Sequence, residues 1–181
     1  MKKVLLAAIV LMSAQAGFSQ ISKGQWLVGG TAGFASEKQG SFKTTTVNIS
    51  PDAGYFFIDR FAAGLRLGFT SVKETDVDAV SAFSAAPFVR YYFLPTAQTV
   101  NIFADGEYGF GSAKSGGNSA SVNEFKISAG PAVFLTPSVA LEFGVYYQSM
   151  GGKYYTERAN AFGLGIGFQV HLGTGSGSSK K

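Results

Sequence analysis

Eight successive runs of this chain alternate apolar and polar residues with period two, which restricts it to β-structure whose sheet has two chemically different faces. The first run carries Trp26, Val28, Gly30, Ala32 and Phe34. The second has Val47, Ile49, Pro51, Ala53, Tyr55 and Phe57, and the third Phe61, Ala63, Leu65, Leu67 and Phe69. Runs over 83–93, 100–110, 125–135, 139–147 and 162–172 repeat the pattern, and none of the apolar-face positions is charged. The opposite face holds Asp52, Arg66, Arg90, Asp105, Glu107, Lys126 and Glu142, with serine, threonine, asparagine and many glycines between them.

Composition decides which face points outward. Aromatic residues make up 14% of the chain and charged residues only 14%, against ~25% charged in ordinary soluble domains. An eight-stranded barrel encloses only enough room for side chains or one small ligand. The aromatic-rich face is too bulky for that interior, whereas the glycine-rich polar face fits it. The expected fold is therefore all-β, an eight-stranded antiparallel up-and-down transmembrane β-barrel, with lipid against the apolar face and a packed polar lumen. The composition also excludes a disordered chain, and the longest apolar run, nine residues, excludes a membrane-spanning helix of ~20.

Connections alternate in length. Short ones fall at 58–60, 95–99 and 136–137, and longer polar ones at 36–43, 71–79, 112–121 and 149–160. Short periplasmic turns opposite longer outer loops are the pattern of outer-membrane barrels. Aromatics gather at both ends of the apolar face. Trp26, Phe57, Phe61, Phe93 and Phe168 lie toward the short turns, while Phe34, Phe69, Phe83, Phe110, Phe125, Tyr147 and Phe162 lie toward the long loops. Eight residues from Trp26 to Phe34, at ~3.3 Å each and a tilt of ~40°, give roughly 20 Å of height, compatible with two aromatic girdles. Pro51, Pro87 and Pro131 fall inside runs, so bulges or local bends are expected there. Phe56, Phe88, Phe103, Phe134 and Tyr146 fall on the lumen face, where they would pack or plug.

Residues 1–16 read as a signal peptide: Lys2 and Lys3, the apolar stretch Val4 to Met12, then Ala14-Gln15-Ala16. The barrel is expected over 17–172 and a flexible Gly/Ser/Lys tail over 173–181. With no cysteine there are no disulfides and no lipid-bearing thiol. No basic cluster suggests nucleic acid.

The segments Ser-Pro-Asp-Ala-Gly-Tyr-Phe-Phe (50–57), Ala-Pro-Phe-Val-Arg-Tyr-Tyr-Phe (86–93) and Gly-Pro-Ala-Val-Phe-Leu (130–135) recur before short turns. They resemble strand ends of small bacterial outer-membrane β-barrel proteins, the porin-family group akin to OmpX and the OmpA barrel. The resemblance spans residues 24–172. It implies the bacterial outer membrane as location, with membrane lipid and the outer-membrane assembly machinery as partners. Family members usually end on an aromatic final-strand residue that resembles an assembly signal. Here Phe168 and Leu172 precede nine further residues, so recognition would use an internal strand.

The strongest constellation is the seven-charge lumen set, four acids (Asp52, Asp105, Glu107, Glu142) against three bases (Arg66, Arg90, Lys126). Unpaired charges in a low-dielectric interior are costly, so these side chains should pair across the barrel and hold it shut. Were the lumen open, the same charges would select ions. Catalysis by Asp105 and Glu107 lacks any sign of a substrate cleft. His171, the single histidine, has no serine flanking it on its own face and reads as a polar lumen or rim residue. One histidine and no cysteine leave no zinc set, the acidic stretch 74–78 lacks the spacing of a calcium loop, and Gly163-x-Gly165-x-Gly167 precedes no helix that could cradle phosphate. No catalytic residue, metal or cofactor is therefore expected. The leading function is a non-enzymatic barrel supporting membrane integrity, or surface interaction with a ligand through loops 71–79 and 149–160. The alternatives are a narrow channel for small solutes or ions, a lipid-modifying enzyme, and a soluble ligand-binding barrel.

Overall fold

The computed structural model describes residues 21–96 and 98–173, so the expected signal segment and all of the tail beyond Gly173 lie outside the described residues. The regular elements are β1 (Trp26–Gln39), β2 (Phe42–Ile58), β3 (Phe61–Glu74), β4 (Val80–Tyr92), β5 (Val100–Ser115), β6 (Asn118–Thr136), β7 (Val139–Gly151) and β8 (Ala159–Leu172). Each pairs antiparallel with its sequence neighbours, and β1 meets β8 to close an eight-stranded barrel. β-branched and aromatic residues dominate the outward positions, where they suit a pleated surface that is covered on one side.

The strands run further than the apolar alternation alone reaches. The connections at the outer end contract to 40–41, 75–79, 116–117 and 152–158, in place of the four long loops expected at 36–43, 71–79, 112–121 and 149–160. The cause is that polar residues keep the ladder going: Ser36 pairs with Thr45, and Lys114 with Ser119. Gly116 and Gly117 both take positive φ, 53° and 86°, the combination that lets a two-residue turn follow the strand twist.

At the prolines the structure shows, in place of the expected bulges, short gaps in the ladder, each two residue pairs long. Pro51 pairs with Gly30 on one side, but on the other the ladder jumps from Ile49–Phe69 to Asp52–Arg66 with the register unchanged. Pro87 and Pro131 repeat this, paired toward β3 and β5 and interrupted toward β5 and β7 respectively. A proline lacks one donor facing one neighbour, so the ladder is interrupted on that side for two residue pairs and no extra residue is needed. The true register shifts lie beside two short turns, between Phe56 and Ile58 and between Phe134 and Thr136.

Closure is uneven. β1 is paired to β2 from Trp26 to Gln39, and β8 to β7 from Ala159 to Val170. Between β1 and β8, pairing runs from Trp26–Leu172 only to Thr31–Gly167. The outer halves of these two strands part, leaving a seam within the apolar band. Backbone at membrane depth tolerates such a gap where it borders a polar cavity.

The two faces separate cleanly. Leu65, Ile49, Val145 and Ile166 project outward and exposed, while Asp52, Arg66, Arg90, Asp105, Glu107 and Glu142 are buried within. Of the twelve girdle aromatics, Phe61 and Tyr147 are half-buried and the other ten are exposed on the outer surface.

Candidate functional site

The lumen is layered from the short-turn end outward. At that end an apolar plug of Ile21, Leu27, Phe56, Tyr92, Phe134 and Ala140 is buried. Ile21 belongs to the segment before β1, which folds across the barrel mouth. Its carbonyl accepts the Arg60 N–H at 3.0 Å, and Gly24 donates to the Phe56 carbonyl at 2.9 Å. His171 sits in this plug, its ring 5.3 Å from Phe134, 5.7 Å from Phe56 and 6.0 Å from Tyr92. Neither of its ring nitrogens has a hydrogen-bond partner among the described residues, so no hydroxyl is placed for it to activate. This end of the interior is apolar: the lumen-facing Phe56 and Phe134 pack as expected, and Ile21, Leu27, Tyr92 and Ala140 complete the plug. Side chains from opposite walls meet here with little room for water, so large apolar groups fill the space most completely.

Above the plug lies an ionic lattice. The Arg66 guanidinium meets Asp52 at 2.9 Å and Asp105 at 3.1 Å, and also binds Glu107. Arg90 bridges Asp105 and Glu142, each at 3.0 Å, and the Tyr92 hydroxyl donates to Glu142 at 3.0 Å. Lys126 stands 3.7 Å from Glu107 with its side chain 21% exposed. All seven charges named from sequence thus meet in one cluster contributed by β2 to β7. Three of the lumen-facing aromatics pack against its cations: Arg66 lies 4.9 Å from the Phe88 ring centre, Arg90 4.9 Å from Phe103, and Lys126 5.4 Å from Tyr146. Cations over ring faces are favoured by the ring quadrupole, which accounts for aromatics on an otherwise polar face. Asp105 and Glu107 both serve Arg66, so neither is poised as a free catalytic carboxylate.

Sequence reasoning missed three participants. Tyr92 lies two positions from Arg90 on the lumen face, so the alternation of the 83–93 run could have found it. Ile21 lies before the first alternating run. Glu124 could have been found by extending the Lys126–Ser128 alternation outward. Its carboxylate accepts hydrogen bonds from Gln148 at 2.6 Å and Ser84 at 3.2 Å, and it makes no ion pair among the described residues.

Beyond the lattice the lumen widens into a cavity of about 550 Å³, bordered by Arg66, Glu107, Glu124, Lys126 and Tyr146 and reaching the β1–β8 seam. The outer connection 152–158 is tied to the wall. Arg158 donates to Ser149 Oγ at 3.0 Å and to Asn123 Oδ1 at 3.1 Å, so its guanidinium is engaged internally, while Tyr154 remains exposed.

No curated protein matches the chain. Among solved structures, neisserial surface protein A is similar with a TM-score of 0.63 and 16% identity, over 83% of this chain and 98% of that one. The outer membrane protein OprG from Pseudomonas aeruginosa is similar with a TM-score of 0.51 and 11% identity, over 86% of this chain and 100% of that one. At such identities the likeness is one of fold. The sequence model for the outer membrane protein beta-barrel domain matches residues 4–176, nearly the whole chain, and this protein accordingly belongs to that family of outer-membrane barrels.

Proposed function

We propose that this barrel is a non-enzymatic, non-conducting outer-membrane protein that reinforces the membrane and offers its outer hairpins and luminal cavity to the cell exterior. The observation that carries the reading is the buried plug at the short-turn end, where Ile21, Phe56, Tyr92 and Phe134 close the lumen beneath the lattice. Its partners on this reading are membrane lipid, the assembly machinery that inserts it, and a surface ligand reached through the segments 71–79 and 149–160.

The test is conductance in planar bilayers. The wild-type chain is expected to show no steps above leak, whereas Phe56→Ala combined with Phe134→Ala is expected to conduct. Steady single-channel steps from the wild type would overturn the proposal. The ionisable cavity lining favours the narrow-channel reading as the second choice, and the same recording separates the two. His171→Ala is expected to leave membrane lipid composition unchanged, because its ring nitrogens engage no nucleophile.

A further inference from the structure

The gap between β1 and β8 coincides with two other features. The outward side chains that flank it, Phe34, Phe162 and Leu164, are 74%, 84% and 83% exposed, well above Leu65 at 49% on a continuous part of the same face. The luminal cavity extends to Phe34 and Leu164, so polar interior and apolar exterior are continuous there. Elsewhere around the barrel the ladder between neighbouring strands extends along most of their length, prolines apart, and keeps the two apart.

Charge selects what could bridge them. The lumen holds five carboxylates, Asp52, Asp105, Glu107, Glu124 and Glu142, against Arg66, Arg90 and Lys126. The three bases are each matched to carboxylates of the lattice. Glu124 accepts hydrogen bonds from the neutral Gln148 and Ser84, makes no direct ion pair among the described residues although Lys126 lies on the same face of β6, and borders the same cavity, two strands from β8. An ammonium group entering the cavity would find in Glu124 a carboxylate in no direct ion pair, its neighbour Lys126 being drawn to Glu107, and an anionic head would face a net negative interior.

We propose that the outer half of the β1–β8 seam is a lateral port through which a single-tailed amphiphile with an ammonium head is bound, its head on Glu124 and its tail leaving between Phe34 and Leu164 into the outer leaflet. The strand edges tolerate separation because the cavity solvates them on one side and the tail covers them on the other.

The chain contains no cysteine, which makes a reversible test available. Positions 32 and 166 form the rung that would follow Thr31–Gly167 if the seam closed. The full chain, in lipid nanodiscs, is exposed to dodecylammonium carrying a diazirine at its tail, and to the same tail bearing a sulfate. The ammonium probe is expected to label Phe34 and Leu164 saturably, with competition by unlabelled dodecylammonium, and the sulfate probe is not. Glu124→Gln is expected to abolish the saturable part. In the Ala32→Cys, Ile166→Cys double variant, oxidation is expected to suppress labelling and reduction to restore it, so that one sample is its own folding control. Equal labelling by the two probes, indifference to Glu124→Gln, or unchanged labelling in the oxidised staple would each overturn the proposal. So would disulfides joining two chains, which would make the seam a contact between copies.

Discussion

Removing the Arg90 guanidinium is the sharpest test of the ionic lattice. Arg90 lies on β4 and is buried, and it reaches two carboxylates on two other strands, Asp105 of β5 and Glu142 of β7, each at 3.0 Å. In Arg90→Met, Asp105 retains Arg66 at 3.1 Å, but Glu142 loses its one ion pair among the described residues and keeps only the Tyr92 hydroxyl. An uncompensated buried charge of this kind costs about 3–5 kcal/mol, far above the ~0–1 kcal/mol of a surface pair. If orphaning Glu142 is the main cause, adding Glu142→Gln should return roughly 2 kcal/mol, the size of coupling seen between residues in direct contact. Reversible urea unfolding in lipid vesicles measures both, with the single Trp26 at the end of β1 reporting fluorescence. A single variant costing less than about 1 kcal/mol, or a double variant no more stable than the single, would refute a tightly coupled lattice.

Other outcomes follow from the same geometry. Leu65→Arg on the outer face should cost about 2–4 kcal/mol in the same unfolding assay if that position meets mid-membrane lipid. Gly64→Ala would place a Cβ 2.1 Å from the Ala53 carbonyl oxygen and should destabilise by more than about 2 kcal/mol. Gly106→Ala meets nothing within 4 Å and should be neutral or stabilising by up to about 1 kcal/mol. Asn101 donates to the Leu94 and Pro95 carbonyls and accepts the Leu94 N–H at 3.0 Å, so Asn101→Ala should cost about 2 kcal/mol and loosen the β4–β5 turn, seen as faster hydrogen exchange at Leu94.

Much of the architecture is legible before folding because alternation is local. Whether Val28, Leu65 or Ile127 shares a face with its next-but-one neighbours depends only on the two-residue pleat, and each run carries that information alone. The outer ends were harder to place because Ser36, Thr44 and Ser119 pair as well as apolar residues do, while polarity was read as loop. The prolines misled in degree: they signal a defect, but the register either side shows how small it is. In the lumen, the identity of the seven charges was readable from face and type. The face of Tyr92 was readable too, two positions from Arg90, whereas Ile21 was not, since it lies outside any run.

The sequence by itself determined strand number, order, face and the choice of lipid side, because these follow from period, turn spacing and side-chain volume within short stretches. Only the closed barrel decided the rest. It set which carboxylate each arginine takes, as with Arg90 and Glu142 separated by 52 positions, and it brought Gln169 against Asp52 across 117. It also decided that Ile21 and Tyr92 complete the plug and that β1 and β8 part halfway. These outcomes depend on how far each strand is staggered when the first meets the last, and no single segment contains that stagger.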